Sequence, residues 1–191
     1  IVLSAMAGWF YAISIMPLAP AVALNFTVPL FAMIVAILLL GERPGLHRWG
    51  ATIVGFAGVI VILQPGAIEI GLGPVLALSS ALGFALSMSF IKMLSRTDSP
   101  STIVFYQVLF MTPLSLGPAL AVWQTPGWSE FAWLVALGTL ATAAHLSMAR
   151  SLSVAEASAV ASLDFVRLLF VAAIGYFVFA EIPVAMTWIG G

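Results

Sequence analysis

Leu40-Gly41-Glu42-Arg43-Pro44 has a counterpart in Phe179-Ala180-Glu181-Ile182-Pro183, and this pairing organises the rest of the chain. The shift that lays Glu42 on Glu181 is 139 positions. Without gaps, it also lays Trp49 on Trp188, Ser14 on Ser153, Leu24 on Leu163, Phe26 on Phe165, Leu30 on Leu169 and Phe31 on Phe170. Apolar helices resemble one another by composition, which accounts for the Leu and Phe matches. It accounts poorly for two Glu-x-Pro matches in a chain with only seven Asp and Glu residues. The segments are read as parts of an internal repeat.

The composition around these segments narrows the class. The 191 residues are 63% hydrophobic and 7% charged, with a mean hydropathy of +1.19. A soluble domain carries about 25% charged residues, so this chain has too little polar material to cover a water-facing surface. A net charge of −1 offers no basic footprint for nucleic acid. The absence of cysteine excludes disulfides, thiolate metal sites and thiol nucleophiles. The sequence describes an integral membrane protein.

A hydrocarbon core of about 30 Å needs roughly 20 apolar residues per helix. Eight such stretches are expected, lettered A to H. A covers Ile1 to about Met16, B about Pro20 to Leu40, C about Arg48 to Leu63 and D about Gly73 to Leu94. E covers about Ser101 to Trp123, F about Ser129 to Arg150 and G about Glu156 to Ala180, and H starts near Val184. Pro and Gly punctuate the connections, as at Pro17–Pro20, Gly41–Gly45 and Gln64-Pro65-Gly66. The chain opens on Ile and stops soon after H begins, so a fragment of a longer protein is expected.

Basic residues set the expected orientation. Arg43 and Arg48 lie between B and C, Lys92 and Arg96 between D and E, and Arg150 between F and G. The alternate connections have no Lys or Arg and carry Glu69 and Glu181. Basic residues beside short loops stay in the cytoplasm, which puts Glu42 on the cytoplasmic side. The shift equates B with G and C with H, so one repeat contains five spans. Five is odd, and the second copy therefore enters the bilayer upside down, the construction of many secondary transporters. The expected fold is all-α and polytopic, with inverted five-helix repeats: residues 1–66 are the last three spans of the first repeat and 72–191 the second.

The segment Pro17-Leu18-Ala19-Pro20-Ala21, mid-span Pro29, Leu40-Gly41-Glu42-Arg43-Pro44 and the glycine-rich Gly50–Gly58 helix together resemble an EamA domain of the drug/metabolite transporter superfamily. The stretch from Ala155 through Glu181-Ile182-Pro183 to Trp188-Ile189-Gly190 is similar, with Ala180 in place of the usual glycine. The resemblance covers nearly the whole chain. It implies ten helices around a central cavity that opens alternately to either side, of which this chain would hold the third to the tenth. It also implies that A, B, D, F and G approach the cavity while C and H lie toward the periphery.

Asp164 and Arg167 are the most informative candidates, because charge in mid-span costs at least about 2.5–3.5 kcal/mol. They are three residues apart on G and can share a face. Either they form an internal ion pair that orients G, or they face the cavity and contact a polar substrate or coupling ion. Their counterparts under the shift are Asn25 and Val28, next to Pro29, which has no N–H for the Asn25 carbonyl. His145 on F either bonds across a close helix interface or takes a proton during transport. Trp9, Tyr11 and Ser87 are further cavity candidates, and the two aromatics suit stacking on a planar substrate. Glu42 and Glu181, with Pro44 and Pro183, are read as structural, each carboxylate capping the helix that follows it. Ala51, Gly55 and Gly58 form a small-residue stripe for close packing, within the chain or in a homodimer.

The leading function is a permease for a small metabolite or drug in a bacterial inner membrane, with a proton as the candidate coupling ion. No cofactor or metal is implied. A membrane-embedded enzyme is the alternative, but His47 and His145 lie far apart and neither zinc nor serine-hydrolase motifs occur. A scaffold without transport is the other, and the internal charges argue against it.

Overall fold

The computed structural model describes residues 1–16, 18–63, 71–166 and 170. Among these the chain is helical, with α1 at Val2–Ile15, α2 at Leu18–Asn25, α3 at Val28–Val35 and α4 at Leu46–Leu63. The remaining helices are α5 at Leu72–Leu94, α6 at Pro100–Ala121, α7 at Trp128–Val154 and α8 at Ala157–Ser162. Three of them (α5, α6 and α7) are long and apolar enough to cross a bilayer. The chain forms two compact units, one of Ile1–Ser89 with Glu156–Gly191 and the other of Phe90–Ala155.

Two spans expected to be continuous are interrupted. Helix B is divided into α2, α3 and a π-helical turn at Ala36–Leu40. Pro29 sits in the first turn of α3, the position where its missing N–H is least harmful, so the chain restarts a helix there instead of merely bending. At the interruption the Thr27 N–H and hydroxyl both donate to the Leu24 carbonyl, at 3.1 and 2.6 Å. Helix G also breaks: α8 ends at Ser162 and a 3-10 turn follows at Leu163–Val166. Asp164 therefore lies in a 3-10 turn, where an unbroken α-helix was expected.

Gly41 ends the π-helical turn in the left-handed region, at φ 68°, which glycine adopts without strain. The Glu42 N–H then closes back on the Ala36 carbonyl at 3.2 Å. The Gly41 N–H bonds to the same carbonyl, and the two bonds close the π-helical turn before the chain leaves it at Glu42.

In the first unit, α1 and α5 meet through small residues. A Cβ on Gly83 would lie 2.9 Å from that of Ala5, and one on Gly73 would lie 3.0 Å from the Met16 sulfur. The buried Ser80 hydroxyl donates to the Ala5 carbonyl at 2.6 Å. Close backbones and a hydrogen bond across them replace the hydrophobic drive that lipid does not supply.

In the second unit, α6 and α7 pack against each other and expose Phe110, Leu114, Trp133 and Leu137, the surface a lipid environment calls for. Ser99 caps α6 by accepting the Thr102 N–H at 3.2 Å, with Pro100 in the first turn. The Glu130 carboxylate accepts the Gly127 N–H at 2.7 Å at the start of α7. Lys92 closes the far end of α7, its ammonium donating at 2.7 Å to the carbonyls of Leu152 and Ala155. These carbonyls have no partner within their own helix, and a cation is the favoured cap there. Lys92→Met should therefore destabilise the full-length protein by about 1–3 kcal/mol, measured as a lower unfolding midpoint in detergent.

Candidate functional site

The interruption between α2 and α3 and the one after α8 both belong to the first unit. The chain places an amide and then a ring at one, Asn25-Phe26, and a carboxylate and then a ring at the other, Asp164-Phe165. The Phe26 and Phe165 rings stack, with centroids 6.3 Å apart and planes 17° from parallel. The shift of 139 positions pairs these same two residues. Phe26 is buried, while Asn25, Asp164 and Phe165 are half-buried.

Gly55 of α4 receives the Phe165 ring from another side. A Cβ there would lie 2.5 Å from ring atom Cδ2 and 2.6 Å from Cγ. Helix C, which the resemblance puts toward the periphery, thus packs a face onto α8 and its 3-10 turn. Of the small-residue stripe, Gly55 serves packing within the chain, whereas Ala51 is exposed.

Along the same face of α4, toward its N-terminus, Thr52 and Ser162 share a hydrogen bond of 3.0 Å. Ser162 donates its proton to the Ser158 carbonyl at 2.9 Å, so Thr52 is the donor to Ser162. One turn earlier, Arg48 forms an ion pair with Glu156 and donates to the Ser158 hydroxyl at 3.0 Å. Ser158 in turn donates to the Glu42 carboxylate at 2.7 Å. Glu42 also accepts the backbone N–H groups of Ala157 and Ser158, at 2.8 and 3.0 Å.

Glu42 therefore caps the start of α8, 115 residues away, where the sequence had suggested only the helix that follows it. The reason is local. The left-handed turn at Gly41 ends the preceding helix and starts a non-helical run to Gly45, while α8 presents the N–H groups of its first turn that lack helical partners. Pro44 lies in that non-helical run and Pro29 is buried at the start of α3.

The other candidates are dispersed. Trp9 on α1 and Ser87 on α5 are half-buried, and Tyr11 is exposed. His145 is exposed on α7, in the second unit. Arg167, Glu181 and Pro183 lie outside the described residues. Thr52, Glu156, Ser158 and Ser162 were not singled out from the sequence. The available signal was spacing: Arg48 and Thr52, like Ser158 and Ser162, are four apart and share a helix face.

Comparison with known proteins agrees with this architecture. A crystal structure of a protein 18% identical superposes with a TM-score of 0.87, covering 98% of this chain and 69% of its own. The riboflavin transporter of Vibrio cholerae is 36% identical over 95% of this chain and 62% of its own length. The S-adenosylmethionine uptake transporter of Rickettsia prowazekii is 30% identical over 93% and 60% respectively. The chain thus spans about three fifths of these two relatives. The profile of the EamA-like transporter family matches residues 1–64 and again residues 71–191. This chain is an integral membrane protein of the EamA-like transporter family.

Proposed function

We propose that the full-length protein is a secondary carrier. It moves a small metabolite across the bacterial cytoplasmic membrane by alternating access, between two repeats of opposite orientation (residues 1–66 and 72–191 here). The observation that carries this reading is the meeting of the two helix interruptions through Phe26 and Phe165. Discontinuous helices leave backbone polar groups without helical partners, and carriers built from inverted repeats use such breaks near mid-membrane to hold substrate. Pro29 denies the Asn25 carbonyl its helical donor at one break, and Asp164 adds a carboxylate at the other.

Asn25, Asp164 and Arg167 are the proposed substrate contacts, with Trp9, Tyr11, Ser87 and His145 as further candidates. The relatives named for riboflavin and S-adenosylmethionine both point to metabolites bearing a planar heteroaromatic ring. Those two compounds are the first to test. A proton is the proposed coupling ion.

The test is uptake of labelled riboflavin and S-adenosylmethionine by cells expressing the full-length protein. Asn25→Ala, Asp164→Asn and Arg167→Gln should each lower uptake of the transported compound by about tenfold or more while surface expression stays near normal. This is the loss expected for one hydrogen bond to a charged group. Undiminished uptake in all three variants would rule out this site.

A further inference from the structure

The contacts between α4 and α8 form an ordered ladder. At the outer end Arg48 and Glu42 hold residues 156–158, next Thr52 meets Ser162, and then Gly55 receives Phe165, which stacks on Phe26. Arg48, Thr52 and Gly55 are spaced four and three residues apart, as are Ser158, Ser162 and Phe165. One stripe of α4, over about 10 Å of rise, is therefore engaged by α8 and the 3-10 turn that follows it.

The chemistry changes with depth. The ion pair at the outer end is open to water, with side chains 34% and 52% exposed. Thr52 beneath it is fully buried, and beyond that the contact is between rings. A permanent joint between helices in lipid is made where close-packed small residues are locked by a fully buried hydrogen bond, as between α1 and α5. Polar groups at a wet mouth behave differently, since they exchange protein partners for water at little net loss. The buried Thr52 hydroxyl, its Ser162 partner and the stacked rings keep water out only while the two faces stay together.

We propose that this ladder is a gate, closed in this conformation. Glu42 and Arg48 latch the end on which they lie, which the basic residues assign to the cytoplasm. Opening the helix breaks to that side requires them to release residues 156–158. The inference rests on the carrier reading above.

The experiment uses the full-length protein in proteoliposomes, with Thr52→Cys and Ser162→Cys replacing hydroxyls that lie 3.0 Å apart. Oxidation to a disulfide should stop uptake of riboflavin or S-adenosylmethionine, and reduction should restore it. Undiminished uptake by the oxidised protein would identify the ladder as a fixed strut and overturn the proposal. A second measurement needs no substrate. Ser162→Cys alone should react with an impermeant thiol reagent, applied from the Glu42 side, about tenfold faster when Glu42→Gln is added. Equal rates with and without Glu42→Gln would overturn the latch. If the reduced double variant carries neither compound, or the disulfide does not form, the labelling comparison still decides the gate. Loss of uptake in the reduced protein would count only against the carrier reading.

Discussion

Gly55→Val should unfold at a lower temperature than the parent protein and should transport poorly, because there is no room for its side chain. Even a methyl carbon at this position would lie 2.6 Å from Cγ of Phe165, the atom that roots the ring. Swinging the ring tip does not relieve such a contact. Phe165 must move as a whole, and Phe26 is stacked against it. Overpacking of this kind costs about 1–3 kcal/mol. It exceeds the gain of up to about 1 kcal/mol that a better helix former than glycine brings to α4. Phe165→Ala in the Gly55→Val background should recover stability, since it vacates the same space. The four proteins of that cycle should show a coupling of about 1 kcal/mol or more. Additive effects would mean that Gly55 is constrained by something other than the ring.

Glu42→Ala should be the most destabilising single change at the outer end of α4. The carboxylate accepts three hydrogen bonds, from the N–H groups of Ala157 and Ser158 and from the Ser158 hydroxyl. Removing it leaves two N–H groups at a helix start without a protein partner and takes away the anion that favours that end of the helix. The site is partly open, so water replaces some of the loss, and about 2 kcal/mol is expected, in the upper range for helix caps. Glu42→Gln keeps the length and one acceptor oxygen and should fall between the parent and Glu42→Ala. Glu42→Asp is one methylene shorter and should resemble Glu42→Ala if reach is what matters. Unfolding midpoints of the four purified full-length proteins check the order. Equal midpoints for the parent and Glu42→Ala would contradict the cap.

The two interruptions were not equally visible in the residue string. Pro29 announces the first, since a residue without an N–H cannot continue the ladder to Asn25. Nothing comparable marks the second: Ala157 to Val166 contains neither proline nor glycine. There, serine hydroxyls compete for backbone carbonyls, as Ser162 does for that of Ser158. The turn after α8 is packed against α4. An unbroken helix was therefore the reasonable reading, and it was wrong at Asp164. The Asp164 carboxylate itself was recognisable, because charge within an apolar run stands out whatever the backbone does.

Lys92 and Arg48 show the same division. Each was identified as a basic residue at a span end, and each does more than mark a side. Lys92 closes the end of α7, and Arg48 joins Glu156 and Ser158.

Membrane class and helical fold could be read from the residues alone, because they depend on quantities carried along the chain, apolar length and scarcity of charge; the family was legible as a resemblance carried by the two Glu-x-Pro segments and their neighbours. The partners of Glu42, Thr52 and Gly55 could not, since each contact joins residues about 110 positions apart. A free carboxylate is satisfied by any helix start within reach, and a glycine accommodates any ring that approaches it. Which helix start and which ring they meet depends on how the folded chain brings α4 and α8 side by side.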